Sequence, residues 1–155
     1  MVRRLVTNYR GGGVSDSSHQ EVEQLVNAYL SIWGQQEYSK IPDLVSESFE
    51  MHGPFTPEEG IRGRDGLEEW MREVTSGFPD FRTDVLDVVS GDDLVMGEAT
   101  VTGMHEGEFD GVPPTGREVE SRAMEKFHVA DGTDREHRGY FDQQEMLEQL
   151  GLVDE

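Results

Sequence analysis

The chain has 155 residues, of which 33 are acidic and only 13 are lysine or arginine, so its formal net charge is -20. A surface this acidic repels phosphate backbones and anionic membranes, which argues against nucleic-acid and membrane partners. The chain contains no cysteine, which excludes disulfides, thiolate catalysis and cysteine-based zinc sites.

The hydropathy pattern predicts a soluble cytoplasmic protein. No apolar run approaches the ~20 residues that span a bilayer, and the first ten residues lack the apolar centre of a secretion signal. The acidic residues are spread through amphipathic segments, and Lys40 and Lys126 are the two lysines. This balance resembles the cytosolic proteins of extreme halophiles, in which high salt screens the self-repulsion of the surface.

The first half of the chain predicts a tail followed by helices. Residues 1–17 contain a Gly-Gly-Gly run and a Ser/Asp cluster, typical of a flexible tail, and residues 18–155 form one domain. Ser18 and Glu21 have the spacing of a capping box, and apolar residues at helical spacing then predict a helix that ends near Gly34. A short helix is predicted over 38–45 and a short strand over 49–52. A third helix follows Arg64 and ends at Gly77.

The second half predicts strands and one closing helix. Runs of β-type residues cover 81–89, 94–102, 118–129 and 135–141. Asp142 and Glu145 repeat the capping-box spacing at the start of a last helix. Helices followed by long strands predict an α+β fold. We expect the N-terminal helices to pack in the concave face of a strongly curved antiparallel sheet, a cone-shaped α+β barrel, with a short C-terminal helix.

One long loop, residues 103–117, separates two of these strands. It contains four glycines and a Pro-Pro pair, which interrupt regular strand pairing. A loop of this length in a compact domain is usually functional or disordered. Phe109 and Val112 favour an ordered loop, because apolar residues in such a segment usually pack on something. The alternative is a plain connection between two strands.

Four motifs stand out along the chain: the loop pattern G-x-H-x-G-x-F-x-G-x-P-P-T-G-R from Gly103 to Arg117, Phe49-Glu50-Met51-His52-Gly53-Pro54, Phe78-Pro79-Asp80-Phe81, and an Ala130-Asp131-Gly132 turn followed by Glu136-His137. Together they resemble the SnoaL-like polyketide cyclase (ester cyclase) family. The resemblance spans residues 22–152. It implies the fold of nuclear transport factor 2 and ketosteroid isomerase, a cavity for a small hydrophobic carbonyl compound, and a two-fold dimer.

Strand alternation makes Glu125 the leading catalytic candidate. Ala123, Glu125 and Phe127 share one face of their strand, whereas the charged opposite face cannot be core. His137 and Gly139 join that face if the loop between the strands has an odd number of residues, but a two-residue turn would reverse the relation. A carboxylate in an apolar cavity is suited to general acid–base chemistry. The alternative is a structural ion pair with Arg82, Arg117 or His137.

The resemblance also shows where this chain departs from the family. The family's catalytic histidine falls on Glu125, and its aspartate, usually part of a His-Trp-Asp triplet, falls on Gly139. The cyclase reaction therefore cannot be carried over unaltered. Either Glu125 moves protons in a cofactor-free isomerisation, cyclisation or lyase step, or the protein is a non-catalytic ligand-binding or dimerisation module. His52, at the family's His-x-Pro position on the cavity rim, is the second catalytic candidate.

The remaining candidates are aromatic and histidine side chains expected to line the cavity. They are Tyr29, Trp33, Trp70, His105, Phe127, His137 and Phe141. Core packing is the alternative for the two tryptophans, and a structural hydrogen bond is the alternative for His105. His52, His105 and Glu125 have the residue types of a two-histidine, one-carboxylate metal site, but their spacing does not support one. We therefore predict no metal and no cofactor.

The outward face of the sheet predicts a homodimer. Met96, Met124 and Tyr140 are expected there beside charged residues. A mixture of apolar and charged side chains suits an interface better than bare exposure to solvent.

Overall fold

The computed structural model describes residues 16–153. Its helices are α1 (Asp16–Gln35), α2 (Ile41–Leu44), α3 (Gly63–Gly77) and α4 (Gln143–Gln149), and its strands are β1 (Val45–His52), β2 (Ile61–Arg62), β3 (Arg82–Ser90), β4 (Leu94–Met104), β5 (Glu118–Ala130) and β6 (Thr133–Phe141). The predicted tail lies outside the described residues, apart from 16 and 17, with which α1 begins. In the described part of the chain, no helix is long and apolar enough to cross a membrane.

The helices largely follow their sequence signals. The Asp142 side chain accepts a hydrogen bond from the Glu145 backbone N–H at 3.1 Å, which confirms the predicted cap of α4. Helix α3 ends at Gly77 as predicted. The helix predicted over 38–45 is a single 3-10 turn, Tyr38–Lys40, followed by the one turn of α2. Helix α1 begins at Asp16, two residues before the cap predicted at Ser18, whose side chain lies outside the described residues.

The six strands form one sheet in the order β2-β1-β6-β5-β4-β3. The pairings are antiparallel except that of β1 with β6, which is parallel, so the sheet is mixed rather than purely antiparallel. It curls around the helices without closing, because β2 and β3 remain as its two edges. The α+β prediction is confirmed, with an open, curled sheet in place of a closed barrel.

The core lies between the concave face of this sheet and helices α1 and α3. Its fully buried members include Tyr29 and Ile32 of α1, Leu67 and Met71 of α3, and Phe49 of β1. Because successive strand residues point to opposite faces, the sheet gives this core every second side chain.

One irregularity decides which face the β6 residues occupy. The β5–β6 turn is the two-residue kind, with Asp131 and Gly132 at φ of 53° and 74°. Val129 pairs with Asp134, but His128 then pairs with Glu136, so Arg135 is an extra residue in β6. This β-bulge cancels the reversal that the short turn would cause. Beyond the bulge Phe127 faces His137 and Glu125 faces Gly139.

Candidate functional site

A cavity of about 90 Å³ lies between the concave face of the sheet and the helices. Its walls are mainly apolar and aromatic: Leu30, Trp33, Met51, Phe55, Trp70, Phe78, Phe81, Phe109, Phe141 and Met146 are among the lining residues. The polar side chains in the lining are Thr83, Glu125 and His137, together with the indoles of Trp33 and Trp70. An apolar pocket with a few convergent polar groups is the usual form of a small-molecule site.

Glu125 and His137 form a largely buried pair at this cavity. Strands β5 and β6 bring the Glu125 Oε2 atom to 2.6 Å from His137 Nε2. The two side chains are only 12% and 6% exposed. The Phe127 ring stacks on the imidazole, with centroids 4.4 Å apart. The pair is thus shielded from solvent. Electrostatic interactions in such a shielded site are stronger than in water.

Tyr29 of α1 completes a chain of hydrogen bonds behind this pair. Its hydroxyl lies 2.9 Å from His137 Nδ1. Burial raises the pKa of Tyr29 well above its usual value, and the nearby carboxyl groups of Asp134 and Glu125 raise it further. The phenol therefore keeps its proton. With a neutral imidazole, the Tyr29 O–H donates to His137 Nδ1, and Nε2 carries the ring proton and donates to Glu125 Oε2, since a neutral imidazole has one N–H.

Asp134 is a second buried carboxyl group close to His137, and it was not among the candidates predicted from the sequence. It is fully buried, and neither carboxyl oxygen has a hydrogen-bond partner among residues 16–153. Burial raises its pKa to about 7, against the lowering effect of the nearby His137 ring. The bulge at Arg135 places Asp134 and His137 on the same inner face, and no local sequence signal marks that bulge.

Gly139 leaves the space that the Glu125 carboxylate occupies. A Cβ atom added at Gly139 would lie 2.8 Å from Glu125 Oε2. Any larger residue there would have to displace the carboxylate, because real Cβ contacts are not this short. The expectation that Glu125 faces the cavity opposite Gly139 agrees with this geometry.

The other predicted site residues divide into two groups. Trp33, Trp70 and Phe141 line the cavity, as Glu125 and His137 do. Tyr29 and Phe127 instead lie behind the cavity wall, in contact with the His137 ring.

His105 supports the long loop rather than the cavity. The Thr115 backbone N–H donates to His105 Nδ1 at 3.2 Å, and the Phe78 ring stacks on the imidazole. Burial lowers the pKa of His105, which favours the neutral ring. These contacts match the structural alternative for His105.

His52 is not brought to the cavity. Met51 pairs with His137 and lines the cavity, whereas the next residue, His52, pairs with Arg138 on the other face of the sheet. Its ring packs against Gly60, where an added Cβ would overlap the imidazole. The geometry therefore gives His52 no access to a ligand beside Glu125. No group of three metal-ligating side chains is found in the described part of the chain.

The long loop is ordered and forms part of the cavity wall. The backbone N–H groups of Glu106 and Gly107 donate to the Gly77 carbonyl at 3.0 and 3.1 Å, which ties the loop to the end of α3. This close approach requires glycine, since a Cβ at Gly107 would lie 2.0 Å from the Ser76 carbonyl oxygen. Phe109 turns inward from the loop and lines the cavity.

Comparison with known proteins finds one matching family model and several solved structures of similar fold. The family model described as SnoaL-like polyketide cyclase matches residues 23–150. A structure from Jannaschia sp. CCS1, assigned as a SnoaL-like polyketide cyclase, has a TM-score of 0.80 and 22% identity over 92% of this chain and 100% of that one. IdmH from Streptomyces antibioticus, assigned as a polyketide cyclase, has a TM-score of 0.72 and 28% identity over 84% of this chain and 98% of that one. AclR from Streptomyces galilaeus, assigned as a hydroxylase, has a TM-score of 0.73 and 26% identity over 88% of this chain and 89% of that one. No curated protein matches the chain.

Proposed function

Because the chain belongs to the SnoaL-like polyketide cyclase family, we propose that it binds a small hydrophobic carbonyl compound and moves a proton on it without a cofactor. The observation that carries this proposal is the carboxylate of Glu125 in an apolar cavity, held by the ring N–H of His137 at 2.6 Å. A positioned carboxylate shielded from water is the arrangement that general acid–base catalysis uses.

The two oxygens of Glu125 suit different parts of this reaction. Oε2 accepts from His137, whereas no hydrogen bond from a described residue engages Oε1. In the proposed step Oε1 takes a proton from a carbon beside the ligand carbonyl, and the electron pair of the C–H bond moves into an enolate. In an isomerisation the proton returns to another carbon. In a cyclisation the enolate carbon attacks a second carbonyl, whose oxygen then takes the proton.

His137 and Tyr29 orient the base rather than react. The Tyr29 hydroxyl holds the imidazole from behind, so the Nε2 proton points at Glu125. Such a directed chain keeps the carboxylate in one position, and correct placement of reacting groups contributes strongly to rate.

The departure from the usual family residues fits this scheme. An aspartate on β6 at position 139 would start from the Cβ position that lies 2.8 Å from Glu125 Oε2. The longer side chain of Glu125, on the neighbouring strand β5, thus brings a carboxylate to nearly the same place. We infer that the base has moved from β6 to β5 while the site of proton transfer is kept.

The test is hydrogen–deuterium exchange of the protons beside the carbonyl of α-tetralone, a bicyclic ketone, followed by proton NMR in D₂O. The wild type should accelerate exchange above the buffer rate. Glu125→Gln should lower that rate by ~10²–10⁴-fold, the usual contribution of a general base. Lys126→Gln is the matched control, because Lys126 points to the opposite face of β5 and pairs with Glu136.

Exchange by E125Q at the wild-type rate would remove Glu125 as the base. If α-tetralone binds without any accelerated exchange, the non-catalytic ligand-binding alternative replaces the enzyme. A ligand-binding protein would still account for the hydrophobic cavity walls and for the absence of a second carboxylate at Gly139.

We also propose that the protein is a homodimer that joins through the convex face of the sheet. Four large hydrophobic residues are exposed there: Val89, Met96, Met124 and Tyr140. Met124 and Tyr140 are cross-strand partners, 50% and 61% exposed. Arg122, Lys126 and Arg138 lie on the same face among Glu98 and Glu136. In a chain of net charge -20, a face with both charge signs allows two copies to approach with less repulsion.

A further inference from the structure

A strained phenylalanine closes the outer end of the cavity. The turn that follows β1 spans residues 53–56, and the Thr56 backbone N–H donates to the Gly53 carbonyl at 3.3 Å. Phe55, in the third position of this turn, has a φ of 70°. That is the type II geometry, which normally takes glycine or asparagine there. A bulky aromatic residue in this region is an outlier, and such strain concentrates at ligand clamps and switches.

The Phe55 ring stands between two spaces. It lines the inner cavity beside Glu125, and with Trp70 it also lines an outer groove of about 370 Å³. Its ring packs against Phe109, with centroids 5.7 Å apart, and against Phe141 at 6.3 Å. The ring is therefore part of the wall that separates the inner cavity from the groove.

The inner cavity alone is too small for a ring-bearing ligand. Its volume is about 90 Å³, whereas an engineered cavity of ~150 Å³ is what holds a benzene molecule. A bicyclic or larger carbonyl compound can reach Glu125 only if part of the wall moves. Trp70 is carried by helix α3, but Phe55 sits on a short turn under strain.

We propose that Phe55 is a gate that determines specificity, opened by a flip of the peptide between Pro54 and Phe55. The flip converts the turn from type II to type I, relieves the positive φ of Phe55 and swings its ring away from Phe109. Proline in the second position suits both turn types, so the change costs little there. The ligand is then an extended molecule, with its carbonyl end at Glu125 and the remainder across the turn in the outer groove. Only the placement of the carbonyl end rests on the proposed function.

The experiment is stopped-flow binding of prodan, a neutral fluorescent naphthyl ketone, to the full chain. In the wild type the observed rate should level off at high prodan concentration, because gate opening becomes limiting. Phe55→Ala removes the ring, and Phe55→Gly removes both the ring and the strain. In both variants the rate should keep rising linearly, with an association rate constant about tenfold higher, the factor that roughly 1.4 kcal/mol represents.

Phe81→Ala is the matched control. Phe81 lines the inner cavity but not the outer groove, and it packs on Trp33. This variant enlarges the cavity without opening the wall, so its rate should still level off. A wild-type rate that stays linear to the highest concentration overturns the gate, as does failure of F55A and F55G to bind prodan faster than F81A.

The gate and the proposed chemistry fail in different ways. Saturating binding kinetics with exchange that does not depend on Glu125 would remove the chemistry and keep the gate. Linear kinetics with exchange that depends on Glu125 would remove the gate and keep the chemistry.

Discussion

Two acidic residues of β6, Asp134 and Glu136, show how differently the two faces of the sheet treat a carboxylate. Asp134 lies on the concave face, where burial raises its pKa to about 7. Glu136 lies on the convex face. Burial disfavours its charge as well, but the Arg138 guanidinium and the Lys126 ammonium outweigh that effect and hold the pKa of Glu136 below its usual value. The two residues are separated by Arg135 alone, yet their ionisation is pushed in opposite directions.

Charge therefore has a different effect on each face. On the convex face, ion pairs such as Arg122 with Glu98 are well exposed, and exposed pairs of this kind contribute only about 0–1 kcal/mol. On the concave face, Glu125 and His137 are shielded and bonded at 2.6 Å, where an unpaired charge is costly. Charge on the convex face suits solubility and association, and charge on the concave face suits chemistry.

The largest expected effect comes from removing the buried carboxyl group with Asp134→Asn. A pKa raised in the folded state adds stability that is full below the unfolded value, ~4, and is lost as pH rises through about 7. The free energy of unfolding of the wild type relative to D134N should therefore fall by about 4 kcal/mol between pH 4 and pH 8. Urea unfolding at both pH values measures this.

Asp131→Asn is the control for that comparison. Asp131 lies in the same hairpin but is exposed and pairs with Arg135. The difference in free energy of unfolding between D131N and the wild type should change by less than about 1 kcal/mol over the same pH range. If the difference in free energy of unfolding between D134N and the wild type does not vary with pH, Asp134 is not protonated as described.

The next effect tests the convex face through Tyr140→Glu. A charge placed among the apolar residues of a self-associating face should weaken the dimer by about 2 kcal/mol or more, roughly 30-fold in dissociation constant. Sedimentation velocity in molar KCl measures it. Leu152→Glu is the control, since Leu152 is exposed but lies beyond α4. A wild type that sediments only as a 17.5 kDa species would refute the dimer.

A smaller effect is expected from Gly139→Ala on the concave face. The added Cβ would lie 2.8 Å from Glu125 Oε2, so the carboxylate must move and its bond to His137 is lost or lengthened. Misplacement of a reacting group by about 1 Å can cost up to ~100-fold, and we expect the exchange rate of α-tetralone to fall about tenfold. Gly34→Ala, with open space around its Cβ, should leave the rate unchanged. An unchanged rate in G139A would show that the position of the carboxylate is not critical.

The smallest effect concerns salt and the whole surface. With a net charge of -20, self-repulsion should destabilise the fold in dilute buffer, and salt shortens its range from ~30 Å at 0.01 M to ~3 Å at 1 M. The thermal midpoint should rise by about 3 °C between 0.01 M and 1 M KCl, about 1 kcal/mol for a domain of this size. A midpoint that does not respond to salt would remove the basis for the predicted halophilic origin.

Local patterns predicted most of the secondary structure. Helical spacing of apolar residues identified α1 and α3, and Asp142 marked the start of α4. The strands β3 to β6 were also predicted, because residues two positions apart on a strand share a face and give the sequence a period of two. The two-residue strand β2 was missed, since a segment that short has no periodicity.

The site was only partly predictable, because alternation describes a single strand and not its neighbours. Alternation within β5 correctly put Glu125 on the face of Phe127, but it could not decide what lies opposite. The turn at Asp131-Gly132 alone would have set Glu125 against Arg138, and the extra residue at Arg135 sets it against Gly139. Asp134 and Phe55 were overlooked because their burial and backbone angle depend on elements distant in sequence.

The fold class, the acidic surface charge and the faces of each single strand follow from composition and short periodicities in the sequence, and the family follows from four motifs that resemble it. The tertiary structure decided which faces meet: that Glu125 bonds to His137, that Tyr29 of α1 supports the imidazole, and that His52 lies outside the cavity. A one-residue change of register reverses every side chain in a strand. Bulges and strand order, which are set by packing across the whole domain, therefore decide which of the candidate residues can act together.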